Sequence, residues 1–188
     1  MPLLEHDGQL VIESDVVTKY VARRVPGAEG EWGGLCPKTA EEESAVEEFL
    51  DQWDRVTDAY YGVLTAASQP QAERREASFV RSLGAIEALL SPREKGGADA
   101  FMLGDFSYGE CIAAPWVQRM YVTLPYFRGI NFHEDVLSSN NFVRLARWME
   151  AVCARPSCQE SRCPDEEMIA ACKRYYVSFL SPGASGSL

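Results

Sequence analysis

Apolar residues recur at steps of three and four along most of this chain, and those steps mark helices. The longest run, Val46, Phe49, Leu50, Trp53, Val56, Tyr60, Val63 and Leu64, forms one buried stripe. That helix begins after Thr39, whose hydroxyl caps it, with the acids Glu41 and Glu42 in its first turn to suit the helix dipole. Phe79, Leu83, Ile86 and Leu90 mark a second helix over about 71–90. A third runs from Ser107 to about Phe127, a fourth over about 140–154 through Phe142, Leu145, Trp148, Met149 and Val152, and a last over about 165–180. Five helices with almost no strand signal predict an all-α bundle over 39–180.

The first residues follow another period. Leu3-Leu4 and the run Gln9 to Ile12 flank Asp7-Gly8, a pair that favours the positive φ of a tight hairpin. Ser14 stands in the N-cap position of a helix over about 14–24, with Val16, Val17, Tyr20 and Val21 at helical spacing. Such a helix start offers open N–H groups and partial positive charge to a carboxylate. The predicted architecture is therefore mainly α. It has a β-β-α segment over 1–26, a Gly/Pro-rich linker over 27–38, the helical domain over 39–180 and a disordered Gly/Ser-rich tail over 181–188.

Composition narrows the function. The chain has 188 residues and a net charge of −10 without a run of Lys or Arg, so a nucleic-acid phosphate surface would repel it. No apolar stretch is long enough to span a membrane, and the N-terminus lacks the order of a secretory signal, which predicts a cytoplasmic protein. Cys36, Cys111, Cys153, Cys158, Cys163 and Cys172 are scattered and imply no disulfide framework. The four-residue gaps of Cys153, Cys158 and Cys163, without a flanking histidine, argue against a metal site. His6 falls on the hairpin turn and is expected to be solvated, while His133 is expected to cap or pair locally with Glu134 and Asp135 beside it. Ser107 and Glu110 have the spacing of a capping box, in which the serine cap alone is worth about 1 kcal/mol.

These residues carry a family resemblance. Pro2, Leu4, Gly8, Glu13 and Ser14 resemble the second half of the glutathione-binding, thioredoxin-like domain of glutathione S-transferases, which runs from a cis-proline through two strands into a helix. Phe101, Gly104, Ser107, Glu110, Pro115 and Arg119 resemble the signature of the family's helical domain, with a shorter gap before the serine and Glu110 where Asp is usual. Pro115-Trp116 with Arg119, and Trp148-Met149 with Ala151 and Pro156, resemble segments of the omega class.

The resemblance implies a fold, ligands and site residues. Met1 and Pro2 would hold the cysteinyl backbone of glutathione, and Glu13 and Ser14 its γ-glutamyl end. Glutathione would be the co-substrate and no metal would be used. Trp53, Tyr60, Trp116, Arg119 and Tyr176 would line the pocket for a small electrophile or mixed disulfide, although packing is the default role of an aromatic on a helix stripe. The family's catalytic side chain, a cysteine in the omega class, lies in a strand-helix-strand segment expected upstream of Met1. Cys36-Pro37 lies in the linker and is in the wrong place to stand in for it. A chain without that segment is expected to be impaired as an enzyme, or to be a non-catalytic scaffold built on the same fold. The family forms dimers, which implies a homodimer, and loss of half the N-terminal domain would weaken it.

Overall fold

The computed structural model describes residues 2–24, 34–91 and 100–176. Strands β1 (Leu3–His6) and β2 (Gln9–Ile12) pair antiparallel, with Leu3 opposite Ile12 and His6 opposite Gln9. Asp7 at φ 51° and Gly8 at φ 73° make the two-residue turn whose twist matches the strands. Helix α1 (Ser14–Arg24) follows at once. Its cap differs from expectation. The Glu13 carbonyl accepts from Val17 N at 2.9 Å, so Glu13 is the N-cap and Ser14 the first helical residue.

The bundle contains α2 (Ala40–Leu64), α3 (Gln69–Leu90), α4 (Tyr108–Arg128), α5 (Val143–Ala154), the short α6 (Pro156–Glu160) and α7 (Asp165–Tyr176). Thr39 caps α2 by accepting from Glu42 N at 3.2 Å. A π-helical turn over Phe132–Ser138, which the apolar pattern does not reveal, delays α5 to residue 143, and the start near 140 is corrected accordingly. The linker's first part, 27–33, the last residues of the predicted final helix and the tail 181–188 fall outside the described residues.

Two buried ionisable side chains hold the helices in place. Glu110, fully buried at the start of α4, accepts from Ser107 N (2.9 Å), Ser107 Oγ (2.6 Å), Met102 N (2.9 Å) and Trp148 Nε1 (3.2 Å). The capping box is present and is half of a larger hub that binds α5 to α4. Arg128, at the other end of α4, donates to the carbonyls of Leu64 (2.6 and 3.2 Å) and Ala66 (2.6 Å), satisfying the C-terminus of α2. A third device is the Glu87 carboxylate on α3. It accepts from the amides of Arg144 and Leu145 at 3.1 and 2.6 Å and caps α5, whose own N-cap residue Phe142 contributes no side-chain bond.

Gly109 explains why α4 can start so close to α2. A Cβ there would meet Val46 Cγ1 at 3.0 Å, so only a glycine fits without displacing a core residue. The β-β-α segment is fastened to the bundle through α1. Lys19 pairs with Glu47 at 2.7 Å, Arg23 with Glu43 at 2.6 Å, and the Tyr108 hydroxyl donates to Glu47 at 2.9 Å. Among the described residues, no helix is long and apolar enough to cross a membrane.

Candidate functional site

Residues that the sequence singles out gather in two places. The first is the junction of β2 and α1. Pairing of Leu3 with Ile12 brings Pro2 and Glu13 to the same end of the hairpin. Met1 lies outside the described residues, so the Met1-Pro2 bond is not described. Glu13 has φ 74°, a left-handed conformation that costs a side-chain-bearing residue about 1–2 kcal/mol. It turns the chain sharply from strand into helix, so that α1 opens with Ser14, Asp15 and Val16 exposed. Among the described residues nothing bonds to the Glu13 carboxylate or to the Ser14 hydroxyl. Strain held at an open helix start is the kind of local cost that functional sites carry.

The charge around this junction is mixed. Asp54 on α2 is raised above the ordinary aspartate range, first by burial and then by Asp15, Asp51 and Asp58, while Lys19 opposes the shift. Asp15 in the first turn of α1 is therefore near enough to Asp54 for the two charges to interact, which favours an ammonium group at this end of the helix. Carboxylate is favoured by the helix start and ammonium by the acids.

The second place is an aromatic cluster joining α2, α4 and α7, with Tyr61 at its hub. The Tyr61 hydroxyl receives hydrogen bonds from Arg119 Nη1 at 3.2 Å and from the Tyr176 hydroxyl at 3.1 Å. The Trp116 ring meets Tyr61 edge-on at 5.5 Å, and the Arg119 guanidinium lies 5.0 Å from the Trp116 centroid. Burial, with the bond from Tyr176, holds Tyr61 above the ordinary tyrosine range, although Arg119 opposes this, so its hydroxyl stays protonated at neutral pH. Arg119 has no carboxylate partner among the described residues; its charge rests on a hydroxyl and a ring face.

Trp116, Arg119 and Tyr176 are thus brought together, and two others are not at the surface of this cluster. Tyr60 is 1% exposed, spends its hydroxyl on Thr123 at 2.7 Å and forms the cluster's floor. Trp53 is also 1% exposed and lies in the core, stacked on Phe49 at 5.7 Å and edge-on to Trp148 at 5.4 Å. Tyr61, the hub, is the neighbour of Tyr60 on α2. Adjacent helix positions point about 100° apart, so Tyr60 is turned into the core while Tyr61 stays half-buried beside Trp116 and Tyr176. His6 is not merely solvated: its Nδ1 lies 3.0 Å from the Tyr20 hydroxyl and ties the hairpin to α1. Among the described residues, no group of three or more His, Cys, Asp or Glu side chains is arranged to hold a metal ion.

Comparisons with known proteins bear on the fold. The family model described as glutathione S-transferase, C-terminal domain, matches residues 69–151. A trimeric glutathione transferase of Leishmania, TDR1, is similar in structure with a TM-score of 0.70 and 22% identity, over 89% of this chain and 35% of that one. Glutathione transferase Omega 3C of Trametes versicolor has a TM-score of 0.68 and 19% identity, over 87% of this chain and 67% of that one. No curated protein matches the chain. The chain therefore carries the helical-domain fold of the glutathione transferases, preceded by a two-stranded sheet, and spans about a third of the Leishmania protein's length.

Proposed function

We propose that this chain binds glutathione and a small electrophile or mixed disulfide, as an omega-like glutathione transferase or thiol transferase. The observation that carries the reading is the left-handed Glu13 followed by the open amides of α1. On this reading Ser14 and the first amides of α1 hold the γ-glutamyl carboxylate, Glu13 orients its ammonium group, and Met1-Pro2 lies along the cysteinyl backbone. The cluster of Tyr61, Trp116, Arg119 and Tyr176 receives the second substrate, with Arg119 steering an acidic group. Glutathione, when bound, supplies the thiol that attacks an electrophilic carbon or the sulfur of a mixed disulfide. The chain's part is to bring the two reactants together, which accounts for much of such catalysis. Six free thiols suit a reducing, cytoplasmic setting.

Turnover by the 188-residue chain alone is expected to be weak, because the residues of this reading hold the γ-glutamyl end and the cysteinyl backbone, and none of them lowers the pKa of the thiol. The test is retention on immobilised glutathione with elution by free glutathione. Ser14→Ala should reduce retention by about tenfold, consistent with loss of one hydrogen bond to a charged group. Glu13→Gly should also lose affinity while raising thermal stability, since glycine adopts this φ freely. Retention unaffected by either change would refute the assignment, and turnover at rates typical of the family would refute the expected weakness.

A second reading, as an interaction scaffold, is favoured by the exposed Leu3, Leu10, Ile12, Val16 and Val21 on the β-β-α segment.

A further inference from the structure

Arg155, extended at φ −64° and ψ 130°, is the single residue between α5 and α6, and the chain changes direction there. The turn brings Cys153, near the end of α5, and Cys158, in α6, to the wall of one cavity of about 840 Å³. Six sulfur-bearing side chains share that wall: Cys111, Met149, Cys153, Cys158, Cys163 and Met168. Met149 is fully buried and stands four residues before Cys153, hence on the same face of α5. Cys153 and Cys158 are near enough for their charges to interact.

The surroundings separate these thiols. Burial, and then Cys158, raise Cys153 above the ordinary cysteine range, and Arg162 opposes the shift. Burial raises Cys158 as well, opposed by Arg155 and by the Ser157 hydroxyl. Each thiol of the pair therefore has a guanidinium beside it. Arg162 pairs with Asp165 at 2.7 Å, whereas Arg155 has no carboxylate partner among the described residues and lies 4.2 Å from the Phe106 ring centroid. Cys111 differs, because burial and the neighbouring Glu110 carboxylate push its thiol up to about 11. It is poorly placed to lose its proton. Cys163 directs its thiol at the Pro164 carbonyl, 3.6 Å away.

Donor number and softness select an ion. Among the described residues no three His, Cys, Asp or Glu side chains converge, which does not suit Zn²⁺ and its four ligands. Cu(I) is a soft ion that accepts two donors in a line and prefers thiolate and thioether to oxygen. The four-residue gap that argues against a zinc site leaves this ion open. A Cu(I) bis-thiolate carries one negative charge, and Arg155 offsets it.

We propose that Cys153 and Cys158 form a Cu(I) site across the break between α5 and α6, with the Met149 thioether beside it. On binding, two S–H bonds break, two Cu–S bonds form, both protons pass to solvent and the copper stays Cu(I). The site goes beyond the glutathione-dependent reading and stands without it. The probe is Cu(I), supplied anaerobically as its acetonitrile complex to the reduced full chain in competition with the chromophoric chelator bicinchoninate. The chain should withdraw one equivalent. Cys153→Ser and Cys158→Ser should each weaken the affinity by about a hundredfold or more. Cys111→Ser should leave it within about threefold, as should Cys36→Ser, whose thiol lies off this wall on the Ala22 carbonyl at 3.1 Å. In the unmutated protein, the bound ion should slow maleimide labelling of the exposed Cys153 by about tenfold or more, and Zn²⁺ at the same concentration by less than about twofold. Failure to withdraw the ion from the chelator overturns the proposal. So does Cys153 labelling that Cu(I) leaves unchanged or that Zn²⁺ slows equally, and so does a loss in Cys111→Ser as large as in Cys158→Ser. The labelling experiment needs no variant, so a misfolded one cannot leave the question open.

Discussion

Truncating Glu110 to alanine removes the acceptor for four buried donors at once. Ser107 N and Oγ, Met102 N and the Trp148 indole all converge on this carboxylate, which is completely shielded from water. Each buried donor left without a partner costs about 1–3 kcal/mol, though the four share one side chain and do not add fully. A loss of about 3–5 kcal/mol is expected, a large share of a total stability of about 5–15 kcal/mol. For a chain of this length it corresponds to a fall of roughly 10 °C in Tm. Ser107→Ala breaks the cap and leaves the other three donors satisfied, so it should cost only about 1 kcal/mol. Glu110→Gln should fall between them, at about 2 kcal/mol, because one amide oxygen can still accept from Met102 and Trp148 while the amide nitrogen opposes Ser107. Urea denaturation followed by circular dichroism measures all three. If Glu110→Ala proves no worse than Ser107→Ala, the carboxylate is an ordinary cap and the four-donor reasoning fails.

Two further outcomes follow from neighbouring geometry. Gly109→Ala should cost about 1–3 kcal/mol, because the new methyl presses on Val46 at 3.0 Å, and Val46→Ala in the same chain should recover part of the loss. Acid should loosen α1 from the bundle. Burial opposes it, but the Lys19 ammonium and the Tyr108 hydroxyl hold Glu47 below its ordinary 4.5. A depressed carboxylate stabilises the fold fully above its unfolded value, and that contribution is lost as pH falls below about 4.5 through the lower folded value. Hydrogen-exchange protection factors in α1, taken against the intrinsic rate at each pH, should therefore fall over that acid range, and Glu47→Gln should remove the step.

What the sequence disclosed depended on how far each signal reached. The helix stripes, the Thr39 cap and the Ser107-Glu110 box lie within a few residues, so spacing alone exposed them. Glu87 caps α5 from 57 and 58 residues away, and no local pattern announces a carboxylate that serves another helix. Trp53 illustrates a different limit. Periodicity shows that it belongs to a buried stripe and is silent on whether that stripe faces a cleft or a packed core; here Phe49 and Trp148 close over it. Spacing and the preference of serine for helix starts put the α1 cap at Ser14, whereas the chain turns at a left-handed Glu13, a conformation that no pattern of residue types announces.

Arg128 has a consequence for the order in which the molecule is made. The carbonyls it satisfies, at Leu64 and Ala66, leave the ribosome more than sixty residues before the guanidinium does. During synthesis the corner between α2 and α3 must therefore keep water on those oxygens, even though the two helices are already adjacent and able to pair. Only when the end of α4 emerges can that solvent be expelled, so the earliest hairpin stays provisional until Arg128 arrives to close it.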